Sequence, residues 1–361
     1  MKVLVCSASY PTEEGGRAMY YVHSRNLYYR KEDIEVVVIN FSTNRSYYLD
    51  GIRVLSFSEY KKFPVKADLL ICHAPNLRNH FVFLKKYGDL YPKKMLIFHG
   101  HEILHLNKYY PMPYAFVKEN RLKQIMQFIY DTIKIFIWKR YIIKNESRLR
   151  MIFVSNWLRD QFYKEFKIDS HRLSNTYVIS NSVGEFFSEN NYEEEDIKYD
   201  FLTIRNYLDV SKYCIDIVYN LAINNPDYKF CVIGKGDFFK YYECPSNIVF
   251  INKELSHEDM RSYMNSSRFA LLPTREDTQG LMACEFATYG MRLITSNIDV
   301  CQEVFSDCPN AILVSNDNID LKSVICEFDK MDGKKDEKWN RFMPSNTIYK
   351  EIQCIKDFVS L

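Results

Sequence analysis

Short apolar, largely β-branched runs alternate with longer stretches of helical character, and this pattern occurs twice along the chain. In the first half the runs are residues 2–6 (KVLVC), 34–39 (IEVVVI), 67–72 (ADLLIC), 94–98 (KMLIF) and 150–154 (RMIFV). Little in them alternates between polar and apolar, so each suits a parallel strand covered by helices on both faces. The second half repeats the pattern at residues 200–204 (DFLTI), 229–233 (KFCVI), 247–251, 269–273 and 292–295. Two α/β domains of doubly wound type are predicted. Length agrees, because 361 residues exceed one ordinary core and about 150 residues per domain gives two.

The boundary is expected at residues 185–200 (EFFSENNYEEEDIKYD), where seven acids meet one Lys. A run of that kind is normally a solvated segment, and here it reads as a linker. The division is then a first domain over 1–184, an acidic linker over 185–199, a second domain over 200–338 and a helix over 339–361. In that last stretch Ile348, Ile352, Ile355 and Val359 recur at three and four residues. Hydrophobic residues make up 47 % of the chain and charged residues 26 %, which excludes wholesale disorder. The formal charge of +2 conceals a segregation: residues 1–184 hold 29 Lys and Arg against 16 acids, and the remainder holds 19 against 30. A basic half suits phosphates or an anionic membrane surface, although solubility alone also produces such a bias.

The ten cysteines are scattered with no Cys-x-x-Cys pair, so they read as reduced core residues and a zinc site is not expected. Residues 1–6 are too short an apolar run for a signal peptide, and no stretch approaches about 18 uninterrupted apolar residues. A cytoplasmic protein is expected, peripheral at most to the inner face of a membrane.

The chemistry-bearing residues follow strand ends, where ligands of open α/β sheets bind. After the first run, residues 7–20 (SASYPTEEGGRAMY) place Gly15 and Gly16 before a helix, suiting close approach of an anion or a sugar oxygen. A plain tight turn explains them equally, and the Gly-x-Gly-x-x-Gly spacing of a dinucleotide site is missing. After the fourth run come His99-Gly100-His101-Glu102; this is not a His-Glu-x-x-His metal spacing, and a hydrogen-bonding role for His99 toward a polar substrate is expected. In the second half, Arg205 and Lys212 leave the first strand where two cations can converge on a diphosphate. Gly234 and Gly236 end the next strand, where a side chain would obstruct a nearby ligand. Residues 271–290 (LLPTREDTQGLMACEFATYG) hold Asp277 in a polar loop and Glu285 on the following helix. The amides about Thr278, Gln279, Gly280 and Leu281 suit phosphate or sugar oxygens, while Glu285 suits a pair of ribose hydroxyls and Asp277 the hydroxyls of a hexose.

In this order the motifs resemble the retaining, GT-B-fold glycosyltransferases of family 4, the glycosyl transferases group 1, whose second domain carries a Glu-x7-Glu motif. The resemblance spans nearly the whole chain and includes Phe153-Val154-Ser155-Asn156-Trp157-Leu158 and Val178-Ile179-Ser180-Asn181-Ser182-Val183. It departs in having Asp277, with Glu276 beside it, as the first motif acid, and Ser180-Asn181-Ser182 for the usual Pro-Asn-Gly. The resemblance implies two Rossmann-like domains facing a cleft, with the C-terminal helix crossing back to the first. It also implies transfer of a sugar from a nucleoside-diphosphate sugar, such as a UDP-sugar, with retention of configuration and with no cofactor or metal. The departing phosphate takes the acceptor proton on the same face, so no protein nucleophile is expected. Arg205 and Lys212 then offset the charge of the leaving diphosphate.

A glycan or polyprenyl-diphosphate-linked acceptor is expected on the basic first domain, in capsule or O-antigen assembly. Residues 108–150 carry ten Lys and Arg against three acids, interleaved with aromatics. They read either as a helix lying on an anionic bilayer or, across 125–143, as a buried core helix. A nucleotide-sugar epimerase of the same fold and a non-catalytic subunit of an assembly complex are the competing readings. Nucleic-acid binding has only the basic half in its favour, with no recognisable reader module.

Overall fold

The computed structural model describes residues 1–15, 18–118, 120–331 and 338–360. The chain forms two compact units. The first comprises Met1–Leu106, Met126–Ser182 and Ser345–Leu361; the second comprises Asn107–Ile125 and Val183–Pro344.

Among the described residues the first unit is built on an eight-stranded sheet: β1 (Lys2–Ser7), β2 (Glu35–Asn40), β3 (Tyr47–Leu49), β4 (Ile52–Ser56), β5 (Leu69–His73), β6 (Lys93–Phe98), β7 (Leu149–Phe153) and β8 (Thr176–Val178), in the order β3-β4-β2-β1-β5-β6-β7-β8. All neighbours run parallel except β3 and β4. The central strands are buried on both faces, with Val3, Leu4, Val5 and Cys6 fully covered, which is why they read as unbroken apolar runs. The β3–β4 hairpin was not anticipated. Its turn is Asp50-Gly51, both at positive φ (47° and 74°), the signature of a two-residue hairpin loop.

The second unit holds β9 (Tyr199–Tyr207), β10 (Phe230–Lys235), β11 (Ile248–Ile251), β12 (Ser267–Leu272), β13 (Arg292–Ser296) and β14 (Ala311–Val314), ordered β11-β10-β9-β12-β13-β14 and all parallel. The helices that bear on the argument are α1 (Tyr20–Lys31), α2 (Arg121–Asn145), α3 (Glu185–Glu189), α4 (Ile215–Asn224), α5 (Leu281–Tyr289) and α6 (Ile348–Ser360).

Two features of the domain division differ from the expectation, and a third agrees with it. Residues 185–199 are a solvated segment only in part: residues 193–198 are exposed, but α3 buries Phe187, Phe186 stacks on Tyr289, and the Tyr192 amide donates to the Tyr289 carbonyl at 2.7 Å. Apolar residues inside the acidic run outweigh its charge, because Phe186 and Phe187 have a surface to cover. Asn107–Ile125, placed in the first domain by chain order, packs in the second unit, where Tyr114 is a core residue and Phe116 stacks on Tyr241 at 4.5 Å. The C-terminal helix belongs to the first unit, in line with the expected crossing back: Ile348, Ile352, Ile355 and Phe358 of α6 join its core. There Glu351, 1 % exposed, accepts hydrogen bonds from Arg25 Nε (3.2 Å) and the Tyr29 hydroxyl, and Arg25 Nη2 also donates to Asn181 Oδ1 at 2.9 Å. Removing one partner from such a buried pair costs about 3–5 kcal/mol, so this contact pins α6 to α1 firmly.

Candidate functional site

In the second sheet β9 lies between β10 and β12, and the strand order reverses there, the position at whose carboxyl ends open α/β sheets take their ligands. Arg205, near the end of β9, is buried. Its Nη2 donates to the Pro273 carbonyl at 2.8 Å, its guanidinium lies 5.0 Å from the Tyr213 ring centroid, and its Nε has no hydrogen-bond partner among the described residues. Burial lowers its pKa and the negative charge of Asp277 opposes that shift. A buried guanidinium that the protein leaves partly unsatisfied suits an anionic ligand.

Lys212 lies on the turn after β9, with its Nζ 4.9 Å from the ring centroid of Tyr213 and 5.1 Å from that of Tyr110. Its carbonyl accepts from the Arg275 amide (2.8 Å) and the Thr274 hydroxyl (3.1 Å), which ties the cation-bearing turn to the loop after β12. Arg275 in turn makes a bidentate pair with Asp216 at 2.9 and 2.6 Å. Tyr114 completes the assembly: its hydroxyl accepts from the Ile215 amide (3.0 Å) and donates to Asp216 Oδ1 (3.0 Å), capping α4, which has no side-chain cap of its own. Tyr110, Tyr114 and Arg275 were not anticipated, since two of them come from a segment about a hundred residues distant and no local pattern announces the contact.

The loop from Pro273 to Gly280 leads into α5. Asp277 Oδ1 accepts from the Thr278 amide at 2.8 Å and, more weakly, from the Gln279 amide at 3.4 Å, folding the loop on itself. Gly280, at φ +76°, opens α5 with no side-chain cap, leaving the first amides of the helix to a ligand. Leu281 begins that helix. Gln279 is buried and directs its amide nitrogen at Cys284 Sγ (3.8 Å), so its side chain faces the core rather than a ligand.

Glu285 is 6 % exposed and accepts from the Gly184 amide; burial pushes its pKa up to about 8. Glu276 is also pushed up to about 8, by burial and then by Asp277, with Lys212 opposing, and its Oε1 is buried without a hydrogen-bond partner among the described residues. The acid beside the motif position is therefore as perturbed as the motif glutamate, which the sequence alone does not reveal.

The chain itself requires Gly234 and Gly236. A Cβ on Gly234 (φ +154°) would lie 2.0 Å from the Arg205 carbonyl oxygen, and one on Gly236 would lie 2.8 Å from Asp209 Oδ1. These glycines let the end of β10 pass under the segment that carries Arg205.

In the first sheet the order reverses between β1 and β5. His73 ends β5 and His99 follows β6, with ring centroids 5.9 Å apart, and Tyr21 of α1 lies 4.8 Å from His99. Both imidazoles are held well below the usual histidine pKa, by burial first and then by the charge of Arg25, so both are neutral rings. His73 is fully buried and neither ring nitrogen has a hydrogen-bond partner among the described residues; sequence reading passed over it. Glu102 is engaged locally, accepting from the amides of His99 (3.0 Å) and Gly100 (2.6 Å). Among the described residues no three His, Cys, Asp or Glu side chains gather as a metal-ligand set. Gly15 (φ +91°) closes a turn in which its amide donates to the Thr12 carbonyl at 3.1 Å, and Gly16 lies outside the described residues.

Comparison with known proteins follows this geometry. The sucrose-phosphate synthase of Thermosynechococcus elongatus superposes with a TM-score of 0.72 at 11 % identity, covering 99 % of each chain. The fold is GT-B. The E. coli trehalose-6-phosphate structure bound with UDP-2-fluoro glucose superposes at a TM-score of 0.61 and 12 % identity over 100 % of this chain and 99 % of that one. Residues 204–328, which hold Arg205, Lys212, Asp277 and Glu285, match the family described as glycosyl transferases group 1. An uncharacterized glycosyltransferase of Methanocaldococcus jannaschii is 24 % identical over 355 residues, or 91 % of this chain and 88 % of that one.

If Glu285 receives ribose hydroxyls it does so as the carboxylate, so donor binding near pH 7 expels the proton that burial holds there. Calorimetry in buffers of different ionisation enthalpy should show release approaching about one proton per donor at pH 7 and vanishing well above the carboxyl pKa. In Glu285→Gln the release disappears; equal release in both proteins would assign it elsewhere.

Proposed function

We propose that the protein is a glycosyltransferase that moves a sugar from a nucleoside-diphosphate sugar to a glycan or polyprenyl-diphosphate-linked acceptor with retention of anomeric configuration. The observation that carries this reading is the convergence of Arg205, Lys212 and the uncapped start of α5 at the switch point of the second sheet, inside the stretch that matches glycosyl transferases group 1. Two cations and a row of amides are what a diphosphate requires. Glu285 takes the ribose, Asp277 takes the hydroxyls of the sugar, and the amides that open α5 at Gly280 and Leu281 meet the phosphates. His99 is proposed to hydrogen-bond the transferred sugar or its acceptor as a neutral imidazole.

In the reaction the bond from the anomeric carbon to the diphosphate oxygen breaks and a bond to the acceptor oxygen forms on the same face. The acceptor proton passes to the departing phosphate. No protein nucleophile and no metal enters the scheme, because Arg205 and Lys212 meet the developing charge. A UDP-sugar as donor is supported by the UDP-sugar bound in the E. coli relative of the fold, and a place in surface polysaccharide assembly at the cytoplasmic membrane face by the motif resemblance.

A thermal-shift screen against nucleotide-sugars tests the donor reading. A donor at 100 times its Kd stabilises the folded chain by about 2.7 kcal/mol, which raises Tm by several degrees. A panel of uridine, guanosine, adenosine and thymidine diphosphate sugars that leaves Tm unmoved would overturn it.

A further inference from the structure

The long helix α2 is apolar nearly all round, yet the structure buries only one side of it. Asp131, Lys134, Ile135, Trp138, Ile142 and Asn145 form the buried line. On the opposite side Leu122, Ile125, Met126, Ile129, Ile133 and Phe136 are each 49 % to 68 % exposed. These six recur at three and four residues, so they make a single stripe about 21 Å long at 1.5 Å per residue. Contiguous apolar surface of this kind marks an interaction site, and isolated exposed leucines elsewhere do not.

Charge decides what covers the stripe. Exposed Arg121 and Lys123 stand at one end of the helix and exposed Arg140 and Lys144 at the other, with the Arg140 guanidinium 4.4 Å from the Phe136 ring centroid. The one acid in the helix, Asp131, is buried and paired with Lys134 at 2.6 Å, so the outward side carries no negative charge. A second copy of the chain laid on this stripe would bring cations against cations in either direction, which opposes self-pairing. An anionic lipid surface matches both features: apolar side chains enter the acyl boundary and the flanking cations meet headgroup phosphates.

We infer that the outward stripe of α2 is a lipid-docking surface that seats the protein on an anionic bilayer. This rests on the proposed function only for its purpose, which is to meet a lipid-linked acceptor; the docking itself depends on α2 alone.

Flotation of the full chain with vesicles of phosphatidylglycerol and phosphatidylcholine, against phosphatidylcholine alone, tests it. Binding is expected to the anionic vesicles, weakened at 0.5 M salt and reduced more than tenfold in the double variant Ile129→Glu, Ile133→Glu. Both positions are exposed, so the variant should keep the wild-type Tm and the wild-type thermal shift with nucleotide-sugar. Absence of binding to anionic vesicles, or equal binding by the double variant, would overturn the inference. So would sedimentation showing a wild-type dimer that the double variant loses, since a second copy would then cover the stripe. Vesicle binding by a chain that answers to no nucleotide-sugar would leave this inference standing and remove the proposed function.

Discussion

Arg205→Ala is expected to lower kcat by about 10²–10³-fold, the usual loss when one preorganised group facing a developing negative charge is removed. Several observations make the effect large. The guanidinium is buried, so its field is little screened; it is fixed by the Pro273 carbonyl and the Tyr213 ring; and its Nε remains without a partner among the described residues. Arg205→Lys keeps the charge but loses the planar fork, and it should fall between the two. Lys212→Ala should cost less than Arg205→Ala, because Lys212 is only half-buried. Turnover assays on purified variants, with Tm measured alongside, separate a loss of transition-state stabilisation from a loss of fold. Wild-type kcat in both alanine variants would sink the electrostatic role.

Gly234→Ala is the second large effect, and it acts on the same residue from beneath. The added Cβ would lie 2.0 Å from the Arg205 carbonyl oxygen and 2.9 Å from Leu208 Cδ2, and the residue would have to hold φ near +154°. Backbone has no flexible end to swing aside, so the end of β9 must move. A loss of about 3 kcal/mol is expected, at the upper end for overpacking, together with a drop in turnover as Arg205 shifts. Gly236→Ala meets the tip of the Asp209 side chain and Leu208 Cβ at 3.0 Å, and should be milder. Urea unfolding of the two variants gives the comparison directly. Equal midpoints for Gly234→Ala and wild type would show that the contact relaxes without cost.

Much of the site was legible because its residues follow strand ends in order. Arg205, Lys212, Asp277 and Glu285 could be placed at one edge of a parallel sheet from the apolar runs that precede them. For Gly234 and Gly236 the sequence signals only that something passes close by, and the structure shows that backbone and neighbouring side chains of this chain do so. His73 was passed over, and Glu276 was noted only as the neighbour of Asp277, because their distinction is burial, which depends on what other segments cover them. Edge strands β3, β8 and β14 were also missed, being short and only partly buried, so their apolar signal is weak.

The repeated two-faced apolar runs determined the two parallel sheets, since a strand apolar on both sides can be covered only by helices. They also determined which residues stand at the carboxyl edges. Tertiary structure alone decided that Asn107–Ile125 packs in the second unit and that α2 is buried on one side and bare on the other. Periodicity reports which side chains avoid water but not which surface takes them in, and for a helix apolar all round both sides look the same until the rest of the chain has chosen one.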